Sequence, residues 1–125
     1  MKIGVYPGTF DPITFGHLDI IVRSGKLFDK VIIAVAEDNT KNPIFNIEER
    51  KQFIEHSISD LKNVEVSSFK GLLVNYVSEK NALSIIRGLR VLSDFEDEFK
   101  MALMNRSLND EIVTMFLMPH EKYTH

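Results

Sequence analysis

The chain has 125 residues, 44% of them hydrophobic and 26% charged, with a formal net charge of −3. That length predicts one domain with a real core, and the slight acidic balance gives no support for a nucleic-acid or anionic-membrane surface, either of which would show a basic excess. The sequence has no cysteine, which excludes disulfides, thiolate catalysis and cysteine metal sites, and no apolar run approaches the ~20 residues of a membrane span. Met1–Val5 enters strand-like sequence at once and leaves no room for a signal peptide, so a cytoplasmic protein is expected.

Lys2–Tyr6 reads as a first strand. From about Gly16 to Gly25 the pattern is helical, with Leu18, Ile21 and Val22 on one face. Val31–Ala36 is a continuous apolar run, as expected of a strand covered on both sides. After the polar loop Glu37–Pro43, Asn46 and Glu49 form a capping box and open a helix carrying Ile47, Ile54, Ile58 and Leu61 at helical spacing. Val64–Ser67 is a third strand, and Leu72–Lys80 a helix with Leu73, Tyr76 and Val77 along one side. Leu83–Ile86 is a fourth strand running into Arg87-Gly88-Leu89-Arg90. Ser93 and Glu96 form a second capping box, starting a long helix through about Leu108, and Ile112–Met118 is a fifth strand closed by Pro119.

Alternating strands and helices predict an α/β fold: a Rossmann-like, doubly wound, mostly parallel five-stranded sheet with helices on both faces and right-handed crossovers. The ligand site of such a sheet lies at the carboxyl ends of its strands, at the switch in strand order. Pro7–His17, Glu37–Pro43, Ser67–Gly71, Arg87–Arg90 and His120–His125 should therefore face one crevice. The sequence stops at His125, six residues past Pro119. The expectation is that a helix covering the last strand is absent or that a partner chain supplies the cover.

The stretch from Gly4 to His17 organises the rest. It leaves the first strand, passes two prolines and two glycines, and reaches the first helix through a connection read as about ten residues, against a common ~2–6. Such a turn opens toward a helix N-terminus, where unpaired N–H groups and the helix dipole favour an anion, and Thr9 and His17 flank that position. The dipole disfavours protonation of His17, which is expected to act as a hydrogen-bond donor. Thr9 is either a turn residue stabilised by its own hydroxyl or a phosphate donor beside His17. Asp11 and Thr14 read as loop-shaping residues.

Lys41 is either a solvated charge or a member of the site. Arg87 and Arg90 follow a strand, flank Gly88 and precede a helix. They can grip phosphate oxygens in a fork, or pair on the surface with Asp94 or Glu96. His56 reads as solvent-facing, and His120 and His125 carry no assignment. There is no metal-ligand spacing, Walker pattern or Gly-x-Gly-x-x-Gly. Donors around a helix N-terminus, with no evident base or nucleophile, suit chemistry that needs positioning and charge stabilisation, such as phosphoryl or nucleotidyl transfer.

Thr14-Phe15-Gly16-His17, preceded by Tyr6-Pro7-Gly8-Thr9-Phe10-Asp11-Pro12, resembles the (H/T)-x-G-H signature of the nucleotidyltransferase superfamily. Pro43-Ile44-Phe45, Glu48-Glu49-Arg50, Ile86-Arg87-Gly88-Leu89-Arg90, Asp94-Phe95-Glu96, Met104-Asn105 and Phe116-Leu117-Met118-Pro119 resemble the bacterial phosphopantetheine adenylyltransferases in order and spacing. The resemblance implies transfer of the adenylyl group of ATP to 4′-phosphopantetheine, giving dephospho-CoA and pyrophosphate in coenzyme A synthesis. The substrate phosphate would attack in line, without a protein base.

It also implies roles for residues. His17, Thr9, Lys41 and Arg90 would be catalytic, with Phe10, Gly16, Arg87 and Gly88 in the same substrate crevice. Leu73, Met104 and Asn105 would line the pantetheine arm. Mg²⁺ would come with ATP rather than occupy a protein cage. ATP, 4′-phosphopantetheine and CoA would be the small-molecule partners, with no nucleic acid or membrane, and the assembly would be a hexamer. The family's serine-rich segment, which opens a helix and binds ATP phosphates, would lie beyond His125. Two alternatives accompany this reading: a non-catalytic chain that binds nucleotide or CoA, and a nucleotidyltransferase for another phosphate.

Overall fold

The computed structural model describes residues 1–38, 42–89 and 92–123. In chain order it contains β1 (Ile3–Gly8), α1 (Phe15–Ser24), β2 (Lys30–Ala36), α2 (Ile47–Ser57), β3 (Val64–Phe69), α3 (Leu73–Glu79), β4 (Ser84–Gly88), α4 (Leu92–Leu108) and β5 (Val113–Leu117), with a 3₁₀ turn at Glu121–Tyr123. The strands form one sheet in the order β3-β2-β1-β4-β5, and every pairing is parallel. This is the doubly wound sheet that the alternation of elements predicts, and the strand order reverses between β1 and β4.

β2 shows why the sheet needs cover on both sides. Val31, Ile33 and Val35 belong to one buried cluster and Ile32, Ala34 and Ala36 to the other, as the period-2 alternation of a strand requires. The first cluster takes Ile20 and Ile21 from α1, Ile54 from α2 and Ile58 just after it; the second takes Val74, Tyr76 and Val77 from α3. Full burial of each such aliphatic side chain contributes about 1.5–3 kcal/mol, so the apolar strand runs hold the two helical layers.

Three details differ from the sequence expectation. β1 continues through Pro7 and Gly8, so the connection to α1 is only Thr9–Thr14, within the common length. A proline fits there because the ladder with β4 covers only Gly4↔Ser84 and Val5↔Ile85, which leaves that edge of β1 open beyond Val5. α1 buries Ile20, Ile21 and Ser24, while Val22 is exposed; Ser24 fits inside because its hydroxyl donates to the Ile20 carbonyl at 2.7 Å. α4 already starts at Leu92, so Ser93 lies within the helix and not ahead of it. The Asn46–Glu49 box, in contrast, is formed in both directions, at 2.8 and 3.1 Å.

Candidate active site

The cavity at the switch point has a volume of about 640 Å³, within the ~300–1,000 Å³ of small-molecule sites. Its floor and near wall are the β1–α1 connection. Thr14 is the N-cap of α1: its Oγ1 accepts from the His17 backbone N–H at 3.2 Å, and His17 Nδ1 accepts from the Thr14 backbone N–H at 3.0 Å. An imidazole whose Nδ1 accepts a backbone proton carries its own proton on Nε2. The box therefore orients the ring and fixes it as a donor at Nε2. The first turn of α1 has no acidic residue, whereas α2 carries Glu48 and Glu49 in its first turn. The positive end of the α1 dipole is thus left for a bound anion.

Phe10 supports the same ring. Its side chain is buried, and its ring meets those of His17 at 4.8 Å and Tyr6 at 5.3 Å in edge-to-face arrangements. Phe10 has φ of 48°, in the left-handed region that a bulky residue enters only when its surroundings force it. Gly8 makes this possible: a Cβ there would stand 3.0 Å from the Phe10 ring.

Two charged groups tie this loop to the end of β2 and the segment after it. Asp11 accepts from the backbone N–H groups of Ile44 at 2.7 Å and Phe45 at 2.8 Å, one on each carboxylate oxygen. Arg50, on the first turn of α2 and only 2% exposed, donates from Nη1 to the carbonyls of Thr9 at 2.9 Å and Ala36 at 3.2 Å.

The opposite wall comes from β4, α4 and the chain beyond β5. Arg87 donates to both oxygens of Glu98, at 2.8 and 2.6 Å, and from Nη1 to the Pro7 carbonyl at 2.6 Å. Its carboxylate partner is thus Glu98, and not the Asp94 or Glu96 considered from the sequence. Gly88 lies against Ile20, whose Cγ1 would be 3.2 Å from a Cβ. Pro119 and Lys122 complete the lining. Asp19 of α1 holds this last segment: its Oδ2 accepts from Arg23 at 3.2 Å and from the His120 backbone N–H at 3.1 Å, and Arg23 also donates to the Met118 carbonyl.

Thr9, Phe10, Gly16, His17, Arg87 and Gly88 therefore share one cavity. Lys41 and Arg90 lie outside the described residues. Leu73 packs partly buried against the core on the α3 side, Met104 is exposed and Asn105 half-buried on α4, and none of the three lines this cavity. Among the described residues the crevice is formed after β1, β4 and β5; the segment after β3, at the far edge of the sheet, does not reach it. Glu98 and Arg50 were missed from sequence. Glu98 was hidden on a helix of mixed charge, and Arg50 appeared in the sequence only within the family-like segment Glu48-Glu49-Arg50, with no role assigned.

The chain matches the family model described as cytidylyltransferase-like over residues 5–125. It is 56% identical over 124 residues to a phosphopantetheine adenylyltransferase of Thermodesulfovibrio yellowstonii, covering 98% of this chain and 77% of that protein. It is 51% identical over 125 residues to a phosphopantetheine adenylyltransferase of Alkaliphilus metalliredigens, covering 100% of this chain and 80% of that one. Among solved structures, a bifunctional NMN adenylyltransferase/ADP ribose pyrophosphatase from Francisella tularensis superposes with a TM-score of 0.71 at 22% identity, over 98% of this chain and 41% of that one; this likeness shows the fold.

Proposed function

The chain belongs to the phosphopantetheine adenylyltransferase family, and from that premise we propose that it transfers the adenylyl group of ATP to 4′-phosphopantetheine, giving dephospho-CoA and pyrophosphate. A phosphate oxygen of phosphopantetheine forms a bond to the α-phosphorus of ATP, and the bond from that phosphorus to the β-phosphate oxygen breaks in line. Pyrophosphate carries the electron pair away. The attacking oxygen is already anionic, so no residue has to remove a proton.

The work left to the protein is to align two phosphates and stabilise the charge that moves between them. The single observation that carries the proposal is the His17 clamp. A ring with Nδ1 held by Thr14 presents Nε2–H as a fixed donor in the cavity wall, and a preorganised donor is worth more in the transition state than a mobile one. Thr9 and the N-terminus of α1 supply further donors to the same phosphates. Lys41 and Arg90 hold the outer phosphates, and Arg87 and Gly88 close the nucleotide side. Leu73, Met104 and Asn105 receive the pantetheine arm.

Magnesium belongs to the ATP. Among the described residues no group of three His, Cys, Asp or Glu could hold a metal ion. The two carboxylates in the cavity wall, Asp11 and Glu98, are engaged by backbone N–H groups and by Arg87. In this reading the ion comes with the triphosphate and keeps water ligands, as is usual for Mg²⁺. The family resemblance is the ground for a hexamer; the apolar side chains that α4 exposes, Phe95, Phe99, Met101 and Leu103 among them, support self-association without setting the number of subunits. A cytoplasmic location is supported by the need for ATP. No helix among the described residues is long and apolar enough to cross a membrane.

The test is pyrophosphate release from ATP and Mg²⁺ with and without phosphopantetheine, with nicotinamide mononucleotide and glycerol phosphate as competing acceptors and CTP as competing donor. Release that needs phosphopantetheine and ATP supports the assignment. A preference for another acceptor, or no release by folded protein that binds ATP, would overturn it.

A further inference from the structure

Arg50 is the least explained charge in the molecule. The residue is 2% exposed, its Nε is buried without a hydrogen-bond partner, and among the described residues no carboxylate lies within ion-pair distance of it. Its neighbour Glu49 is turned to the Asn46 backbone, where it completes the capping box. A buried cation without a counter-ion is strongly unfavourable unless something else supplies the charge. Two backbone carbonyls supply part of it, those of Thr9 and Ala36. Both lie at the carboxyl end of the sheet, and Thr9 lines the cavity.

We propose that Arg50 is a positioning residue of the phosphate site: it locks the main chain of Thr9 to the end of β2, and the bound phosphate groups supply the counter-charge that the buried guanidinium lacks. This rests on the adenylyl-transfer reading for its substrate, although the chemistry it needs is only that of a polyphosphate. Arg50 does not line the cavity and touches no substrate. It acts through Thr9, whose carbonyl it draws back so that the rest of the residue faces the cavity. Its charge acts through a layer of protein, where screening is weak. A single nitrogen bridges both carbonyls, so lysine can keep the charge and part of the bridge, whereas methionine keeps only the apolar volume.

The experiment compares the unmodified protein with Arg50→Met, Arg50→Lys, Thr9→Ala and the Thr9→Ala/Arg50→Met pair. It measures melting temperature, affinity for inorganic tripolyphosphate, and kcat and KM for pyrophosphate release. Arg50→Met is expected to weaken tripolyphosphate binding about tenfold or more and to lower kcat by about 10–100-fold, with Arg50→Lys recovering to within about threefold. The share of the effect that runs through the placing of Thr9 is common to both substitutions, so the paired variant should lose clearly less than the product of the two single losses.

A bracing role alone would lower the melting temperature and leave tripolyphosphate affinity in the folded protein unchanged; that result, or multiplying effects of the two substitutions, overturns the proposal. Should Arg50→Met fail to fold, Arg50→Lys decides, since a folded lysine variant that has lost about tenfold in affinity removes the case for charge. Absence of tripolyphosphate binding by the unmodified protein also overturns it. Tripolyphosphate binding without pyrophosphate release overturns the adenylyl-transfer reading and leaves the Arg50 comparison intact.

Discussion

His17 does two jobs with two nitrogens, and a pair of substitutions should separate them. Nδ1 belongs to the capping box of α1, accepting from the Thr14 N–H at 3.0 Å, and the ring packs on Phe10 at 4.8 Å. Nε2 is the donor to the reacting phosphates. In His17→Ala both are lost, while Thr14 Oγ1 keeps its own bond to the backbone N–H of residue 17. The lost half of the box and the lost ring contact together amount to about 1–2 kcal/mol, or roughly 3–8 °C in melting temperature for a chain of this size. The rate should fall by about 10²–10³ in kcat, the usual effect of removing one preorganised donor. His17→Gln is the informative partner. Glutamine at the third helical position is the ordinary capping-box residue, and its side-chain oxygen can accept the Thr14 proton. It should recover about half of the lost stability or more, yet no more than a tenth of the lost rate, because the donor is gone from its place. Thermal unfolding followed by circular dichroism gives the first quantity and a coupled pyrophosphate assay the second. A glutamine variant that turns over within about tenfold of the unmodified protein would refute the donor role. So would an alanine variant whose rate loss disappears once its lower stability is allowed for.

Other substitutions test the scaffold. Asp11→Asn leaves one oxygen to serve the two N–H groups of Ile44 and Phe45, and should cost about 1–2 kcal/mol by chemical denaturation; an unchanged midpoint would mean that water replaces the tether. Gly4→Ala places a Cβ 2.8 Å from Ile86 Cδ1 and 3.1 Å from the Phe28 ring, so overpacking of about 1–3 kcal/mol is expected, read as a lower urea midpoint at constant slope. Ile54→Ala empties a fully buried position between α2 and the sheet. It should cost about 2–5 kcal/mol, and a loss below about 1 kcal/mol would show that α2 settles into the space.

The sheet was legible because its signals are local. Val31–Ala36 is apolar without a break, which only a strand covered on both faces can use, and Asn46 with Glu49 states a helix start in four residues. The phosphate loop was legible as a place but not as a geometry. A histidine at the third helical position does not match the Ser/Thr-x-x-Glu/Gln pattern, so the Thr14–His17 box was not read. No sequence signal announces a phenylalanine with φ of 48°, since that conformation is imposed by the packing of Tyr6, Gly8 and His17 around it. Pro7 and Gly8 read as loop because both weaken strands, yet they continue β1 where its edge toward β4 is already open. Arg50 and Glu98 were missed for one reason. Each is paired with backbone or side chain far away in sequence, Thr9 and Arg87, and burial of a charge is a property of the fold and not of its neighbours in the chain.

The placement of Phe10 has a consequence for anyone who would move this loop to another protein. Its ring is at once a member of the hydrophobic core and the bearing on which His17 rests. It can take that position only because residue 8 has no side chain. The transplantable unit is therefore not the six-residue connection but the span from Tyr6 to His17. A host strand with any Cβ at the place of Gly8 would push Phe10 outward and tilt the imidazole with it. Variation in the core beneath Tyr6 should likewise be felt at the imidazole, so drift in packing and drift in chemistry are coupled at this corner of the sheet.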